Sequence, residues 1–324
     1  MRKGPRPLSS GTGLAATALI CVVAAAGCGL GPGDDAGKAE LTITRDYGAE
    51  ELEEATVELH ESDTVMRVLD REAEIETRYG GAFVESVDGL AERSGARRSD
   101  WFFYVNGIES SLGAAEFRAR DGDRIWWDYR DWTDALRTPA LVGSWPEPFV
   151  HGFDGERWET AVICALKAPP SMASPCARTE QAVGRHVSSV LTPAGGGEVT
   201  RMRPARGAEL AHILVGDWVA IRDDAVAGLL EEDTSSSGVF ARFEDADGAV
   251  RLELLSERGE VVETLGPRAG LVAALRPADG PPTWVVTGTD AAGVTAAADL
   301  LGEPLRNHYA LAVAGGEPIP VPVP

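Results

Sequence analysis

Polar and apolar residues alternate through Leu41-Thr42-Ile43-Thr44, which predicts a strand, and again through 55–59, which predicts a second strand paired with the first as a hairpin. The period then changes. Val65, Leu69 and Ala73 fall on one helical face behind Asp63, a residue suited to an N-cap, so a helix is expected to begin near Thr64. Phe83 to Asp88 predicts a short strand. Trp101-Phe102-Phe103-Tyr104-Val105 predicts an aromatic one, closed by the hairpin-turn pair Asn106-Gly107. After the turn residues Asp121-Gly122-Asp123, Arg124 to Tyr129 predicts a last strand. The order strand, strand, helix, strand, strand, strand implies an α+β sheet with one helix on its face.

Beyond Trp145-Pro146-Glu147-Pro148 the pattern becomes one of strands interleaved with helices. Strands are expected at 160–166, 211–215, 239–243, 250–255, 270–275, 283–287 and 308–313. Helices are expected at 178–191, through Ala225, Ala227, Leu229 and Leu230, and at 292–301. That reading is an α/β domain with a mixed sheet. The division expected is a signal peptide over 1–27, a tether over 28–38, a first domain over 39–138, a linker over 139–150, a second domain over 151–317 and a loose, polyproline-like tail over 318–324.

Within the first domain, Ser86-Val87-Asp88-Gly89-Leu90, Trp101-Phe102-Phe103-Tyr104-Val105-Asn106-Gly107 and Asp121-Gly122-Asp123-Arg124-Ile125-Trp126 occur in that order. In these motifs the chain resembles the transcobalamin C-terminal-like domain family, over roughly a third of its length. The resemblance implies a β-grasp-like fold. In transcobalamin and intrinsic factor such a domain closes over cobalamin together with a helical barrel, and no such barrel is evident in this sequence. A corrinoid is therefore the first ligand the resemblance suggests, with no contact residue carried over.

The residues themselves point to the aromatic strands. Trp101, Phe103 and Val105 share one face, Phe102 and Tyr104 the other; Trp126 and Asp128 share one face, Trp127 and Tyr129 the other. One face must pack on the helix. The second either offers Tyr104, Trp126, Trp127, Tyr129 and Trp132 as a stacking surface for a planar or cyclic ligand, or is itself buried. Burial carries more weight, because aromatic side chains are mostly packing residues.

The amino terminus sets the compartment. Arg2, Lys3 and Arg6 precede an apolar stretch, Leu14 to Ala26, too short to span a bilayer comfortably. Ala25-Ala26-Gly27-Cys28 follows and resembles a lipobox, so cleavage before Cys28 and lipidation of that cysteine are expected. In the oxidising compartment this implies, Cys164 and Cys176 make an even pair and a disulfide is expected between them; the alternative, a zinc half-site, lacks a second ligand pair at the right spacing. The formal charge of −21 argues against nucleic acid as a partner. Removal of residues 1–27 takes away three positive charges and leaves −24, so a membrane location requires the covalent anchor.

Recognisable catalytic motifs are missing: there is no G-x-S-x-G, H-E-x-x-H or P-loop, and His60, His151, His186, His212 and His308 are scattered. No catalytic or metal-binding residue is assigned. Thr287-Gly288-Thr289-Asp290 and Val215-Gly216-Asp217-Trp218 could cradle a polar ligand at a helix start, but Asp290 and Asp217 are better read as caps. The expectation is a non-enzymatic, tethered binding protein for a corrinoid, another planar or cyclic ligand, or a carbohydrate, working with a transporter or another envelope protein. The competing expectations are a cell-envelope interaction module and, behind it, an unfamiliar envelope enzyme.

Overall fold

The computed structural model describes residues 34–91, 98–135, 137–165, 174–191, 209–246 and 248–324. Cys28 and the segment before it lie outside these residues. In chain order the first part comprises β1 (Asp35–Arg45), β2 (Glu50–His60), α1 (Val65–Glu72), β3 (Ile75–Arg78), β4 (Phe83–Val87), β5 (Leu90–Ala91), β6 (Ser99–Val105), β7 (Ile108–Glu109) and β8 (Arg124–Asp131). A five-stranded mixed sheet runs β2-β1-β8-β6-β7, with β1 and β8 parallel and the other pairs antiparallel. A small antiparallel sheet, β3-β4-β5, lies beside it.

The strands outrun the short alternating stretches that predict them. β1 begins at Asp35, so residues 35–38, expected in the tether, are paired with β2. Helix α1 is capped by Thr64, whose side chain accepts from Arg67 N, and not by Asp63. Asp63 instead accepts from His60 N and from Arg71. Val65, Met66, Val68 and Leu69 of α1 are buried against Leu41, Ile43, Ile125 and Trp127 of the sheet. Each such side chain contributes about 1.5–3 kcal/mol on leaving water.

The second part comprises β9 (Glu159–Cys164), α2 (Pro175–Gly184), β10 (Val190–Leu191), β11 (Leu210–Asp217), α3 (Trp218–Ile221), α4 (Thr234–Ser237), β12 (Ala241–Ala246), β13 (Ala249–Leu255), β14 (Val261–Leu265), β15 (Gly270–Leu275), β16 (Thr283–Gly288), α5 (Ala291–Ala298), β17 (Ala310–Ala314) and β18 (Glu317–Val321). A seven-stranded mixed sheet runs β10-β9-β11-β16-β15-β17-β18, parallel from β10 to β16 and antiparallel from there to β18. Strands β12-β13-β14 form a separate antiparallel sheet. The α+β character and the mixed second sheet agree with the hydrophobic patterning.

Differences from that patterning have local causes. The expected helix at 178–191 starts earlier, at the cap Ser174 with Pro175 in its first turn, and ends at Gly184. Val190 and Leu191 leave it to pair with β9. The helix expected through 225–230 divides into α3 and a 3-10 turn, Ala227–Glu231. The tail is extended but not loose: β18 pairs with β17 from Ala310↔Val321 to Ala314↔Glu317. Cys164 at the end of β9 and Cys176 in α2 form a disulfide, with Cα atoms 5.8 Å apart.

The expected linker is also buried. Ala140, Leu141, Val142, Trp145 and Phe149 are core residues. Leu141 N donates to Gly107 O and Val142 N to Tyr309 O, so this segment is hydrogen-bonded to both halves. One continuous core joins Tyr47 of the β1–β2 turn and Tyr104 and Trp126 of the first sheet to Leu214, Phe240, Leu271 and Tyr309.

Candidate functional site: an aromatic pocket beside strand β6

The antiparallel register Trp101↔Tyr129, Phe103↔Trp127 and Tyr104↔Trp126 places the aromatic residues in two layers. Trp101, Phe103, Trp127 and Tyr129 turn to the α1 side. Tyr104, Trp126 and Phe102 turn to the opposite side.

That opposite face is covered. Tyr104 and Trp126 meet the Tyr309 ring with centroids 5.7 and 5.6 Å away, and Tyr47 packs on Tyr309 and Phe240. A polar network runs through this layer. Asp128, fully buried, accepts from Thr44 Oγ1 at 2.6 Å, Tyr309 Oη at 2.9 Å, and the backbone N–H groups of Tyr47 and Gly48. Trp126 Nε1 donates to Thr44 Oγ1 at 2.7 Å. Burial raises the Asp128 carboxyl above its usual range despite these donors. Arg130, also buried, lies 3.8 Å from the Phe102 ring centroid and donates to Ala135 O. This hydrogen-bonded layer, centred on Asp128, joins the two sheets.

The five residues named as a stacking surface therefore separate. Tyr104, Trp126, Trp127 and Tyr129 are buried, and none of the four presents an open ring face. The physical reason is that the second sheet covers one side and α1 the other. Trp132 lies beyond β8, half-buried, with the Arg98 guanidinium 4.6 Å from its ring centroid. Of the five, Trp127 lines a pocket beside β6 and Trp126 a crevice of about 20 Å³ next to Gly143.

The pocket beside β6 has a volume of about 310 Å³. Strand β7 pairs with β6 only at Tyr104 and Val105, so among the described residues Ser99–Phe103 is paired only with β8. Met66 of α1, Phe83 and Val84 of β4, Trp101 to Phe103 of β6, Trp127 of β8 and the 110–114 loop enclose the space. Phe83 and Leu112 stand at its rim 59% and 41% exposed, and Tyr79, 77% exposed, meets Phe83 edge-on at 5.7 Å. Large apolar side chains gathered at an open cavity mark a recognition surface more often than scattered ones do. Asp100 and Glu109 complete the lining; burial raises the Asp100 carboxyl above its usual range.

The sequence reading did not assign Phe83, Leu112, Asp100 or Glu109 a functional role. The available signal was Phe83 beside Val84: consecutive apolar residues in a strand point to opposite faces, so one of the two had to leave the core.

A second space of about 630 Å³ runs between β1–β2 and the 302–306 segment. Two of its arginines are ion-paired: Arg124 Nε is 3.0 Å from Glu40, and Arg306 bridges Glu54 of the lining and Glu51. The two strand-to-helix junctions are closed by capping: Asp290 accepts from Ala292 N and Gly293 N, and Asp217 from Ala220 N. Among the described residues no group of three or more His, Cys, Asp or Glu is arranged to hold a metal, and no helix is long and apolar enough to cross a membrane.

A family model described as a domain of unknown function, DUF4430, matches residues 62–131. That stretch holds α1, β6, β8 and the whole lining of the pocket. Among solved structures, the chain is similar to one described as a putative metal binding protein from Ruminococcus gnavus, at 17% identity, covering 29% of this chain and 97% of that one with a TM-score of 0.24. It is also similar to haptocorrin in complex with Cbi, at 17% identity and a TM-score of 0.24, over 29% of this chain and 25% of haptocorrin. No curated protein matches.

Proposed function

We propose that the chain is an exported lipoprotein, anchored through Cys28, that captures a planar or cyclic ligand in the pocket beside β6. The observation that carries this reading is the aromatic-lined space of about 310 Å³ with Phe83 and Leu112 exposed at its mouth. Small-molecule sites are usually on the order of 300–1,000 Å³ and apolar with a few polar groups, which matches this lining. The basic, apolar and small-residue segments ending at Cys28 support export and lipidation. The motif resemblance makes a corrinoid the first class of ligand to try. A whole corrinoid exceeds the pocket and would seat only one edge there, whereas a one- or two-ring compound would be enclosed.

Calorimetric titration of the full chain in detergent with cobinamide, cobalamin and 3-propylindole tests the reading. Saturable micromolar binding that weakens in Phe83→Ala is the expected result. No binding of any of the three sinks it. The exposed apolar trio Tyr79, Phe83 and Leu112 favours a second reading, an envelope interaction module that docks a protein at the same rim.

A further inference from the structure

We infer that the pocket beside β6 selects organic cations: ring compounds that carry an ammonium group. This rests on the reading of that pocket as a ligand site and adds the charge of the ligand. Among the described residues the lining contains two carboxylates, Asp100 and Glu109, and no Lys, Arg or His. Both side chains are mostly buried, with 26% and 15% exposure, so water screens them incompletely.

Each carboxylate already has an arginine beside it: Arg78 Nη2 stands 3.4 Å from Asp100 and Arg137 Nε 3.5 Å from Glu109, longer than the roughly 2.7–2.9 Å of a close charge-assisted hydrogen bond. Neither arginine lines the pocket. The lining also includes the aromatic side chains of Phe83, Trp101, Phe102, Phe103 and Trp127, of which Phe83 is the exposed one; an aromatic ring attracts a cation that is shedding water. Carboxylates at the lining, aromatic walls and a strongly acidic body all act in the same direction: an anion is repelled, a neutral ring is tolerated and an ammonium is favoured.

Three probes with one skeleton separate charge from shape: tryptamine, 3-propylindole and indole-3-propionate, titrated calorimetrically into the full chain. Tryptamine is expected to bind on the order of tenfold more tightly than 3-propylindole, and the propionate more weakly than either. Asp100→Asn and Glu109→Gln keep the acceptors that Trp101 N and Thr138 N use, so the fold has a conservative control. Each variant is expected to reduce the preference for tryptamine several-fold while leaving 3-propylindole unchanged. Binding of 3-propylindole as tight as that of tryptamine overturns the cation preference and leaves the pocket reading standing. A preference for tryptamine that survives in both variants overturns the role of the carboxylates. Failure of all three probes to bind overturns the cation preference, and the pocket reading falls with it if cobinamide and cobalamin fail to bind as well.

Discussion

The Tyr309 hydroxyl donates to Asp128 Oδ2 at 2.9 Å, joining the residue before β17 to the middle of β8. It also lies 3.2 Å from the Tyr104 hydroxyl. A bond buried at this junction stabilises the association of the two sheets and not one sheet alone. Tyr309→Phe is expected to destabilise the protein by about 1–3 kcal/mol, because a buried carboxyl loses a donor and gains no water in exchange. Urea unfolding monitored by tryptophan fluorescence measures it. An unchanged midpoint would mean that the bond adds nothing.

Asp123 supplies a pH dependence. Burial pushes its carboxyl up to about 6, although it accepts from Arg120 N and Asn106 Nδ2. The folded state therefore keeps the proton to a higher pH than the unfolded chain does. Stability from this group is full below about pH 4 and is lost as pH rises through 6, a change of about 3 kcal/mol. The difference in unfolding free energy between wild type and Asp123→Asn is expected to shift against the wild type over that window. A difference constant from pH 4 to pH 7 would contradict the burial argument.

Gly48 lies in the β1–β2 turn at φ +81, where a Cβ would come within 2.0 Å of Asn307 O. Gly48→Ala is expected to cost about 2 kcal/mol or more, since both the backbone conformation and the close approach oppose a side chain. Thermal unfolding reads this directly, and a shift no larger than that of a surface alanine would mean the turn does not dock on residue 307.

The bond between Cys164 and Cys176 spans 12 positions. Replacing both residues by alanine is expected to lower stability by about 2–4 kcal/mol under non-reducing conditions. Reductant should bring the wild type to the same level and leave the double variant unmoved.

Export and anchoring have their own readout. Palmitate labelling in a bacterial host is expected to mark the full chain and to vanish in Cys28→Ser, with the variant released from the membrane fraction. Equal labelling of both would refute the lipid site.

The legibility of the sequence was uneven, for physical reasons. The alternation in β1 and the aromatic repeat in β6 and β8 are strong period-two signals, and they located the first sheet and the two faces of its aromatic layer. Short strands such as β3 and β7 carry too few residues for a period to show. The segment 139–150 reads as a boundary because its prolines dominate the local pattern, while its burial depends on Tyr309 and Gly107, far away in sequence. The pocket was hidden for a similar reason. It arises where a two-residue strand stops short and exposes the edge of β6, so it belongs to the pairing of strands and not to any one stretch of chain.

Strand β18 places Pro318 opposite Val313 and Pro320 opposite Leu311 at the end of the seven-stranded sheet. Proline has no N–H to offer, and it is tolerated in a sheet where that missing donor would have faced outward. The outer side of this strand can accept hydrogen bonds but, at every second position, cannot return them. A neighbouring molecule seeking to extend the sheet finds half of the ladder missing, which guards against the stacking of copies that an exposed strand invites.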